Sequence, residues 1–357
     1  MSATIQWCPA PRRIAVFRAL NLGDLLCTIP AFRSLRHAFP AARITLIGLD
    51  DMRPVVQRFS RYVNEFVGFP GHPAFPEQAA RLSALPDFYR HMQEKNFDLA
   101  FQMHGSGGQS NGIVQALGAM QWAGFVPDQS QQTPRLMAWP DEQPEIKRYL
   151  ALLAYLGLPE QSTDLEFPLD EKDYTQAHEL AACVQIDPNR TIFIHPGARL
   201  ASRRWPLRRF IEVGRRLTQG GWQIAVTGSK AERFLTSSLS SEIGEAAVDL
   251  GGRTELGVLA CLLKEGRLLI CNDTGVSHIA AAVCLPSVVI ASGSSVVRWA
   301  PLNVDRHTTL HADMPCRPCA YDACPIGHPC ALAISVEQVV KAASEQLAKG
   351  HGHEQRR

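Results

Sequence analysis

The sequence predicts an α/β protein built from two doubly wound domains, each with a parallel sheet covered by helices. Short apolar runs that suit buried strands alternate with longer amphipathic segments that suit helices, and this alternation begins again after residue 173. At 357 residues the chain is long enough for two domains of roughly 150–180 residues. Repeated strand–helix units of this kind form parallel sheets whose two faces are both buried.

The N-terminal half opens with a βαβ pattern. Helices are predicted from about Leu25 to Phe39 and again from Asn111. Three short runs rich in branched and aromatic apolar residues predict the strands of this half: 13–18, 44–48 and 97–102.

The C-terminal half repeats the pattern after a linker. Two prolines and a run of acidic residues between Gly157 and Asp173 indicate the linker. Helices are predicted over Leu207–Thr218 and after Lys230. Five further segments predict strands: 191–195, 222–227, 248–250, 268–271 and 287–290. We therefore expect an N-terminal domain over residues 1–170, a C-terminal domain over 171–345 and a disordered tail over 346–357.

Composition and charge exclude several classes of protein. A net charge of +2 does not suit a nucleic-acid partner. No run approaches the roughly 18 apolar residues that span a bilayer, and residues 1–13 lack the apolar core of a signal peptide. Six of the ten cysteines are scattered through apolar contexts, which suits a reducing compartment. We expect a cytoplasmic monomer whose only membrane contact is peripheral.

The most informative motif is Cys271-Asn-Asp-Thr-Gly-Val-Ser-His278, which follows an apolar run. It predicts a buried strand, a tight turn and a helix N-terminus. The first turn of a helix leaves backbone N–H groups without intrahelical partners, so it forms an anion site. Gly275 allows a ligand to approach the backbone closely. The motif therefore predicts a phosphorylated ligand.

Three more polar segments lie at predicted strand-to-helix turns: Asn21-Leu-Gly-Asp24, His195-Pro-Gly-Ala198 and Arg203-Arg-Trp-Pro206. Loops at the carboxyl ends of doubly wound sheets bind ligands, so we expect a site in the cleft between the two predicted domains. From the residues alone, Asp24 is either a helix N-cap or a carboxylate for proton transfer. Arg203 is either a phosphate-binding cation or part of a solvated basic face.

Together and in this order, the four motifs resemble glycosyltransferase family 9, which includes the ADP-heptose:lipopolysaccharide heptosyltransferases. The resemblance runs from Ile14–Pro30 through Asp273–His278 to Leu332–Val339, which is nearly the whole chain. It implies a GT-B fold, with a nucleotide-sugar donor in the C-terminal domain and an acceptor in the N-terminal domain. It also implies inverting transfer without an essential metal.

The resemblance implies roles for the residues at these turns. Asp24 matches the family's general base, which takes the proton of the acceptor hydroxyl. Thr274, Gly275, Arg203 and His278 would hold the donor's diphosphate and stabilise the charge of the leaving group. Relatives more often have lysine at the position of Arg203, but a guanidinium also binds phosphate well.

Four further residues are expected to contact the donor. Asp273 cannot bind phosphate without a cation, so it would orient the turn or accept a sugar hydroxyl. Gly197 would let the donor approach the backbone. Gly228 and Glu232 either contact the base or ribose or form an ordinary capped turn, and they do not decide between adenine and uracil.

The glycine-rich loop His104–Gly108 lacks both common nucleotide-binding fingerprints. Because the N-terminal half takes the acceptor in this family, Ser106, Gln109 and Asn111 are candidate acceptor contacts.

Four cysteines cluster near the C-terminus: Cys316, Cys319, Cys324 and Cys330. Their density suits zinc, but they do not form two paired CxxC units. We expect free or redox-labile thiols, with a structural zinc site or a disulfide as alternatives. The chain also lacks a D-x-D pair, so we expect metal-independent chemistry and no cofactor.

These observations predict an inverting heptosyltransferase whose donor is ADP-heptose. Its acceptor would be a lipopolysaccharide-core-like saccharide-lipid at the cytosolic face of the inner membrane. The alternatives are a GT-B transferase with a different nucleotide sugar and acceptor, and a non-catalytic protein that binds nucleotide sugars or carbohydrates.

Overall fold

The computed structural model describes residues 7–354, with side chains described for residues 7–349. The chain divides into two compact units, which we call the N-terminal unit (Met1–Asp164) and the C-terminal unit (Leu165–Arg357). Each unit contains one six-stranded sheet, and all pairs of neighbouring strands are parallel.

The N-terminal unit has the strand order β3-β2-β1-β4-β5-β6. Its strands are β1 (Arg13–Phe17), β2 (Arg43–Gly48), β3 (Glu65–Gly68), β4 (Leu99–Gln102), β5 (Gln121–Val126) and β6 (Leu136–Ala138). Its helices are α1 (Leu22–Leu26), α2 (Ile29–Ala38), α3 (Arg53–Gln57), α4 (Leu85–Glu94), α5 (Ser110–Ala116) and α6 (Glu145–Tyr155).

The C-terminal unit has the strand order β12-β11-β10-β7-β8-β9. Its strands are β7 (Thr191–His195), β8 (Gln223–Val226), β9 (Ala247–Asp249), β10 (Leu268–Asn272), β11 (Ser287–Ile290) and β12 (His307–Leu310). Its helices are α7 (Glu171–Cys183), α8 (Leu207–Gln219), α9 (Arg233–Ile243), α10 (Leu256–Glu265), α11 (Gly275–Ala282), α12 (Val296–Trp299), α13 (Pro329–Leu332) and α14 (Val336–Glu354).

Both units therefore have the doubly wound order 3-2-1-4-5-6, and the predicted fold class is confirmed. The central strands are apolar because helices cover both faces of each sheet; four of the five residues of β1, for example, are buried. In such sheets the strand order reverses between the first and fourth strands. Ligands bind at that reversal, which lies between β1 and β4 in one unit and between β7 and β10 in the other.

The first predicted helix is wrong in its bounds. We expected one helix from Leu25 to Phe39, whereas the chain forms α1 and α2 with a break at Cys27 and Thr28. Pro30 lies in the first turn of α2, where its missing N–H costs nothing but prevents a continuous helix. The Thr28 hydroxyl donates instead to the backbone carbonyl of Asp24, at 2.8 Å.

Part of the acidic segment expected to be a linker is a helix start. Asp170 caps α7, accepting from the backbone N–H of Asp173, whose side chain accepts from the N–H of Asp170 in return. The acidic residues at this point satisfy helix donors rather than marking a flexible connection.

The tail expected to be disordered over residues 346–357 is helical as far as Glu354, because α14 packs on the C-terminal sheet. Leu347 is buried in that core, and Gln346 donates to the carbonyl of Asp305 and to the hydroxyl of Thr308. Residues 355–357 lie outside the described residues. Between residues 7 and 354, no helix has the length and apolarity needed to cross a bilayer.

Candidate active site

Asp24 lies in the turn that leaves β1, at the strand-order reversal of the N-terminal sheet. It is the third residue of α1, and Asn21 occupies the N-cap position. The helix is therefore not capped by Asp24, which removes one of the two interpretations of this residue. The side chain of Asp24 is 20% exposed and its Oδ1 lies 3.5 Å from Nη2 of Arg18.

Arg18 is the buried residue that fixes this turn. Its side chain is fully buried, and both Nε and Nη2 donate to the backbone carbonyl of Asp24, at 2.9 and 2.7 Å. Nη1 donates to the carbonyl of Met103 at 2.6 Å, in the loop that follows β4. One guanidinium thus ties the loop after β1 to the loop after β4.

The charge of Arg18 is balanced from α6. Nη2 lies 3.1 Å from Oε1 of Glu145, and both side chains are fully buried. Tyr149 also accepts a hydrogen bond from Nη1 and donates to Glu145. Burial opposes the charge, but Tyr149, Glu145 and Asp24 together raise the pKa of Arg18 above its usual value. Arg18 therefore stays charged beside the Asp24 carboxylate.

The glycine-rich loop after β4 packs against the same turn. Nδ1 of His104 accepts from the backbone N–H of Ala19 at 3.2 Å, and burial together with Arg18 lowers the pKa of His104 to about 3. Gly107 has φ of +97°, and a Cβ there would lie 2.2 Å from the carbonyl oxygen of Phe125. The glycine is thus required by packing. Oδ1 of Asn111, an expected acceptor contact, is buried without a hydrogen-bond partner.

In the C-terminal unit, the Asp273-Thr-Gly turn joins β10 to α11 as the sequence predicts. Thr274 is the N-cap residue with extended backbone angles, but its side chain does not cap the helix. The Ser277 hydroxyl donates to the Thr274 carbonyl at 2.7 Å. The N–H of Ser277 donates to the Thr274 carbonyl at 2.9 Å, whereas the N–H groups of Gly275 and Val276 lie at the start of α11, where a helix offers no intrahelical acceptor. An anion there would meet the positive end of α11.

Asn272 connects this turn to both ends of the loop between β7 and α8. Its Oδ1 accepts from the backbone N–H of Trp205 at 2.8 Å. Its Nδ2 donates to the carbonyls of Pro196 and Gly197, at 2.7 and 3.2 Å. A single buried amide thereby holds the two predicted ligand segments of that loop against the turn after β10.

Gly197 and Glu232 also lie side by side. A Cβ at Gly197 would lie 2.0 Å from Oε1 of Glu232, so only glycine fits beside this carboxylate. Glu232 accepts from the N–H and the hydroxyl of Ser229, at 2.8 and 2.7 Å, which forms a capping box. Burial opposes its charge, but Ser229, His195 and Arg204 lower the pKa of Glu232. The carboxylate is therefore ionised at the edge of the loop after β7.

His195, at the end of β7, and Gly228, in the loop after β8, make contacts within the fold. Nδ1 of His195 lies 3.0 Å from the hydroxyl of Thr227, and burial lowers the pKa of His195. A Cβ at Gly228 would lie 2.7 Å from the Thr236 side chain and 3.3 Å from Glu232. Gly228 therefore allows α9 to pack closely against the loop after β8.

The arginines before α8 differ in how they are used. Arg204 donates to the carbonyl of Ala198 at 2.8 Å, and Arg209 donates to the carbonyls of Leu332 and Ile334. Both therefore support the fold. Nε of Arg203, by contrast, is buried without a hydrogen-bond partner.

His278 lies on α11 and is only 5% exposed. Its ring packs edge-on against Trp299, with centroids 6.2 Å apart. This aromatic contact therefore packs α11, the helix that follows the Asp273-Thr-Gly turn, against α12.

The C-terminal cysteines are all free thiols. Cys330 is buried, and burial raises its pKa. Within the side chains described here, no group of three or more histidine, cysteine or acidic residues is placed to hold a metal ion.

Two residues that fix these turns were given no role by the sequence analysis. Arg18 ends a predicted strand, and Asn272 belongs to a predicted motif. Each is a polar residue beside an apolar run, and this position signals a role in fixing the turn, because buried polar groups must find partners.

Comparison with known proteins gives a consistent family. The family model of glycosyltransferase family 9 (heptosyltransferase) matches residues 86–329. Lipopolysaccharide heptosyltransferase 2 of Escherichia coli (strain K12) is 26% identical over 310 residues, which cover 82% of this chain and 86% of that relative.

Solved structures share the fold over nearly the full chain. A family 9 glycosyl transferase from Veillonella parvula DSM 2008 aligns with a TM-score of 0.77 and 21% identity, covering 95% of this chain and 97% of that one. The E. coli ADP-heptose LPS heptosyltransferase II aligns with a TM-score of 0.72 and 19% identity, covering 95% and 99%. Both comparisons support two doubly wound domains in one chain.

Proposed function

The chain belongs to glycosyltransferase family 9, and we propose that it transfers a heptose or similar sugar from ADP-heptose to a lipopolysaccharide-core-like saccharide. The similarity to lipopolysaccharide heptosyltransferase 2 extends over 82% of the chain and supports this choice of reaction. The observation that carries the proposal is the placement of Asp24, a carboxylate fixed by buried Arg18 at the ligand-binding edge of the N-terminal sheet.

In the proposed reaction Asp24 is the general base. As the acceptor hydroxyl oxygen attacks the anomeric carbon, its proton passes to the Asp24 carboxylate. The bond between the anomeric carbon and the phosphate oxygen breaks, and the nucleoside diphosphate leaves with the electron pair. Attack opposite to the leaving group inverts the anomeric centre. Arg18 is a positioning residue, because it holds the backbone and the carboxylate of Asp24 without reaching the substrate itself.

The C-terminal unit would hold the donor. The N–H groups of Thr274 and Gly275 would bind the diphosphate together with Arg203 and His278. Each of these groups becomes more effective as negative charge grows on the leaving phosphate. This arrangement supplies positive charge from the protein, so the proposed transfer needs no metal ion or other cofactor.

The remaining donor contacts are assigned to the neighbouring loops. Glu232 would accept hydrogen bonds from the hydroxyls of the ribose, with Gly197 and Gly228 leaving room for the nucleoside. Asp273 would accept a hydrogen bond from a hydroxyl of the transferred sugar. The N-terminal unit would take the acceptor, and the enzyme would act as a monomer at the cytosolic face of the inner membrane.

A donor panel tests the proposal. The purified chain is mixed with ADP-heptose, UDP-glucose or GDP-mannose and a heptose-deficient lipopolysaccharide acceptor, and the product is detected by mass spectrometry. We expect heptosyl transfer with release of ADP, and the anomeric configuration of the product by NMR should be inverted. Transfer only from a UDP or GDP donor would replace the proposed substrate. Binding of ADP-heptose with no transfer to any acceptor would favour a non-catalytic binding protein.

A further inference from the structure

The C-terminal unit has a cavity that is lined by none of the residues assigned to the donor. Its volume is about 440 Å³, within the range of small-molecule sites. It lies beside the carboxyl ends of β11 and β12. Its walls are formed by residues 294–296, which follow β11, and by residues 311–315, Arg317 and Pro318, which follow β12.

This cavity adjoins the phosphate turn. β11 pairs with β10, and the N–H of Asp273 donates to the carbonyl of Ile290 at 3.0 Å. The loop that lines the cavity therefore leaves the sheet beside the Asp273-Thr-Gly turn. From that loop the chain enters α12, whose Trp299 packs on His278.

Two unpartnered polar groups line this cavity. The Ser294 hydroxyl and Nε of Arg317 are among the six buried side-chain polar atoms of the described residues that have no hydrogen-bond partner. Ser294 is only 1% exposed. Because buried polar groups in folded proteins are nearly always hydrogen-bonded, two unpartnered groups on one cavity indicate a missing partner.

The geometry of Arg317 shows what kind of partner fits. Its Nη1 donates to the carbonyl of Ala312 at 2.5 Å and its Nη2 to that of Ser294 at 2.9 Å. These bonds fix the guanidinium between the two segments, and only Nε is left without an acceptor. The Ser294 hydroxyl is a second donor. Two donors and a positive charge suit an oxyanion, since charge-assisted hydrogen bonds are the stronger kind.

We propose that the cavity bounded by Ser294 and Arg317 is an oxyanion subsite, separate from the site of the donor's diphosphate. The ligand is a carboxylate or phosphate group. The subsite is independent of the proposed reaction.

Anion-dependent stabilisation tests the subsite. The full chain is saturated with ADP to occupy the diphosphate site, and its melting temperature is measured against sodium phosphate or sodium acetate at constant ionic strength. A ligand that binds only the native state raises the melting temperature, and the rise grows with the ratio of ligand concentration to Kd. We expect stabilisation beyond that of sodium chloride, with the more effective anion identifying the phosphate or carboxylate source.

The Ser294→Ala variant is the decisive comparison. Because the hydroxyl has no partner in the protein, its removal loses no hydrogen bond and should leave the melting temperature without anions equal to or above that of wild type. The apparent Kd for the anion should rise about tenfold. Arg253 carries the same type of charge as Arg317 but lies at an exposed position of this unit. Arg253→Gln should therefore leave anion binding unchanged.

Failure of this inference differs from failure of the proposed function. Equal stabilisation of wild type and Ser294→Ala, or none beyond sodium chloride, overturns the subsite even if heptosyl transfer proceeds. Anion binding lost in Ser294→Ala supports the subsite even if no transfer is found.

Discussion

The turn that carries Asp24 follows the first strand of its sheet, and the turn that carries Asp273 and Thr274 follows the fourth strand of the other sheet. Each therefore lies beside a strand-order reversal, but the two turns are built in opposite ways. Around Asp24, the guanidinium of Arg18 directs its hydrogen bonds to other groups of the protein. Around the second turn, Thr274 does not cap its helix and Nε of Arg203 has no acceptor.

The difference matches what each turn is proposed to do. A general base must be held in one position, and a network of buried partners achieves this before any ligand arrives. A phosphate site must keep donors available, so its hydrogen-bonding groups are left for a ligand. Satisfied and unsatisfied polar groups therefore distinguish the two halves of the proposed reaction.

The largest expected effect tests the base. Asp24→Asn keeps the shape of the side chain but cannot take a proton, so kcat should fall by a factor of about 10²–10⁴. The measurement is steady-state release of ADP in the presence of acceptor. Asp51→Asn removes an exposed carboxylate of the same unit and should retain wild-type turnover. An Asp24→Asn enzyme with wild-type kcat would show that Asp24 is not the base.

The next effect tests whether the network around Arg18 is the rigid part. Arg18→Met leaves Glu145 buried with one charged partner fewer, and unfolding free energy should fall by about 3 kcal/mol. Arg13→Met is a matched control in the same strand, because its side chain is 51% exposed and its ion pair contributes at most about 1 kcal/mol. Equal losses in urea unfolding for the two variants would contradict the assigned role of Arg18.

Acid sensitivity should appear in both units, because each contains a buried neutral histidine. The pKa is lowered to about 3 at His104 and to about 4 at His307, in both cases mainly by burial. Histidine in the unfolded chain has a pKa near 6.5, so between that pH and the folded-state pKa the unfolded chain binds protons that the folded chain does not. The contribution of these two neutral histidines to the free energy of unfolding is therefore fully present above about pH 6.5 and is lost progressively below it.

Each of these histidines should cost about 2 kcal/mol between pH 7.5 and pH 5. Urea unfolding at the two values measures the loss. His104→Gln keeps an acceptor for the N–H of Ala19 but cannot be protonated, so it should lose less stability on acidification than wild type. If the variant is as acid-sensitive as wild type, His104 does not contribute.

The smallest effect sharpens the description of the phosphate side. Arg203→Gln removes one charged contact to the diphosphate, so the Kd for ADP should rise about tenfold. Folding should be unaffected at Nε, which has no partner to lose. Arg208→Gln removes the same charge from an exposed neighbour and should leave the Kd unchanged, as isothermal titration with ADP can show. A wild-type Kd in Arg203→Gln would make the arginine structural.

The sequence predicted the repeated strand–helix pattern because buried parallel strands are apolar throughout. Four strands were missed. Strands β3, β6 and β12 are short and mostly half-buried, which leaves a weak pattern, and β5 is interrupted by Gly124. The start of α1 was misplaced by three residues because Gly23 disfavours a helix at this point, although Asn21 is a favoured N-cap residue.

The motifs located both turns but not what fixes them. Arg18 follows an apolar strand, and its partner Glu145 lies 127 residues further along the chain, so local pattern carries no sign of the pair. The unpartnered atoms of Ser294 and Arg317 depend on the packing of two distant loops and have no signature in sequence either.

The three bonds of the Asn272 amide have a consequence for energetics. Because one side chain joins both ends of the loop between β7 and α8 to the turn after β10, a shift in either the loop or the turn is transmitted to the other. Substitutions at Gly197, Arg203 and Thr274 should therefore show coupling energies in double-mutant cycles instead of simply adding. The proposed nucleotide site then behaves as a single cooperative unit, in which disturbing the loop weakens the turn and disturbing the turn weakens the loop.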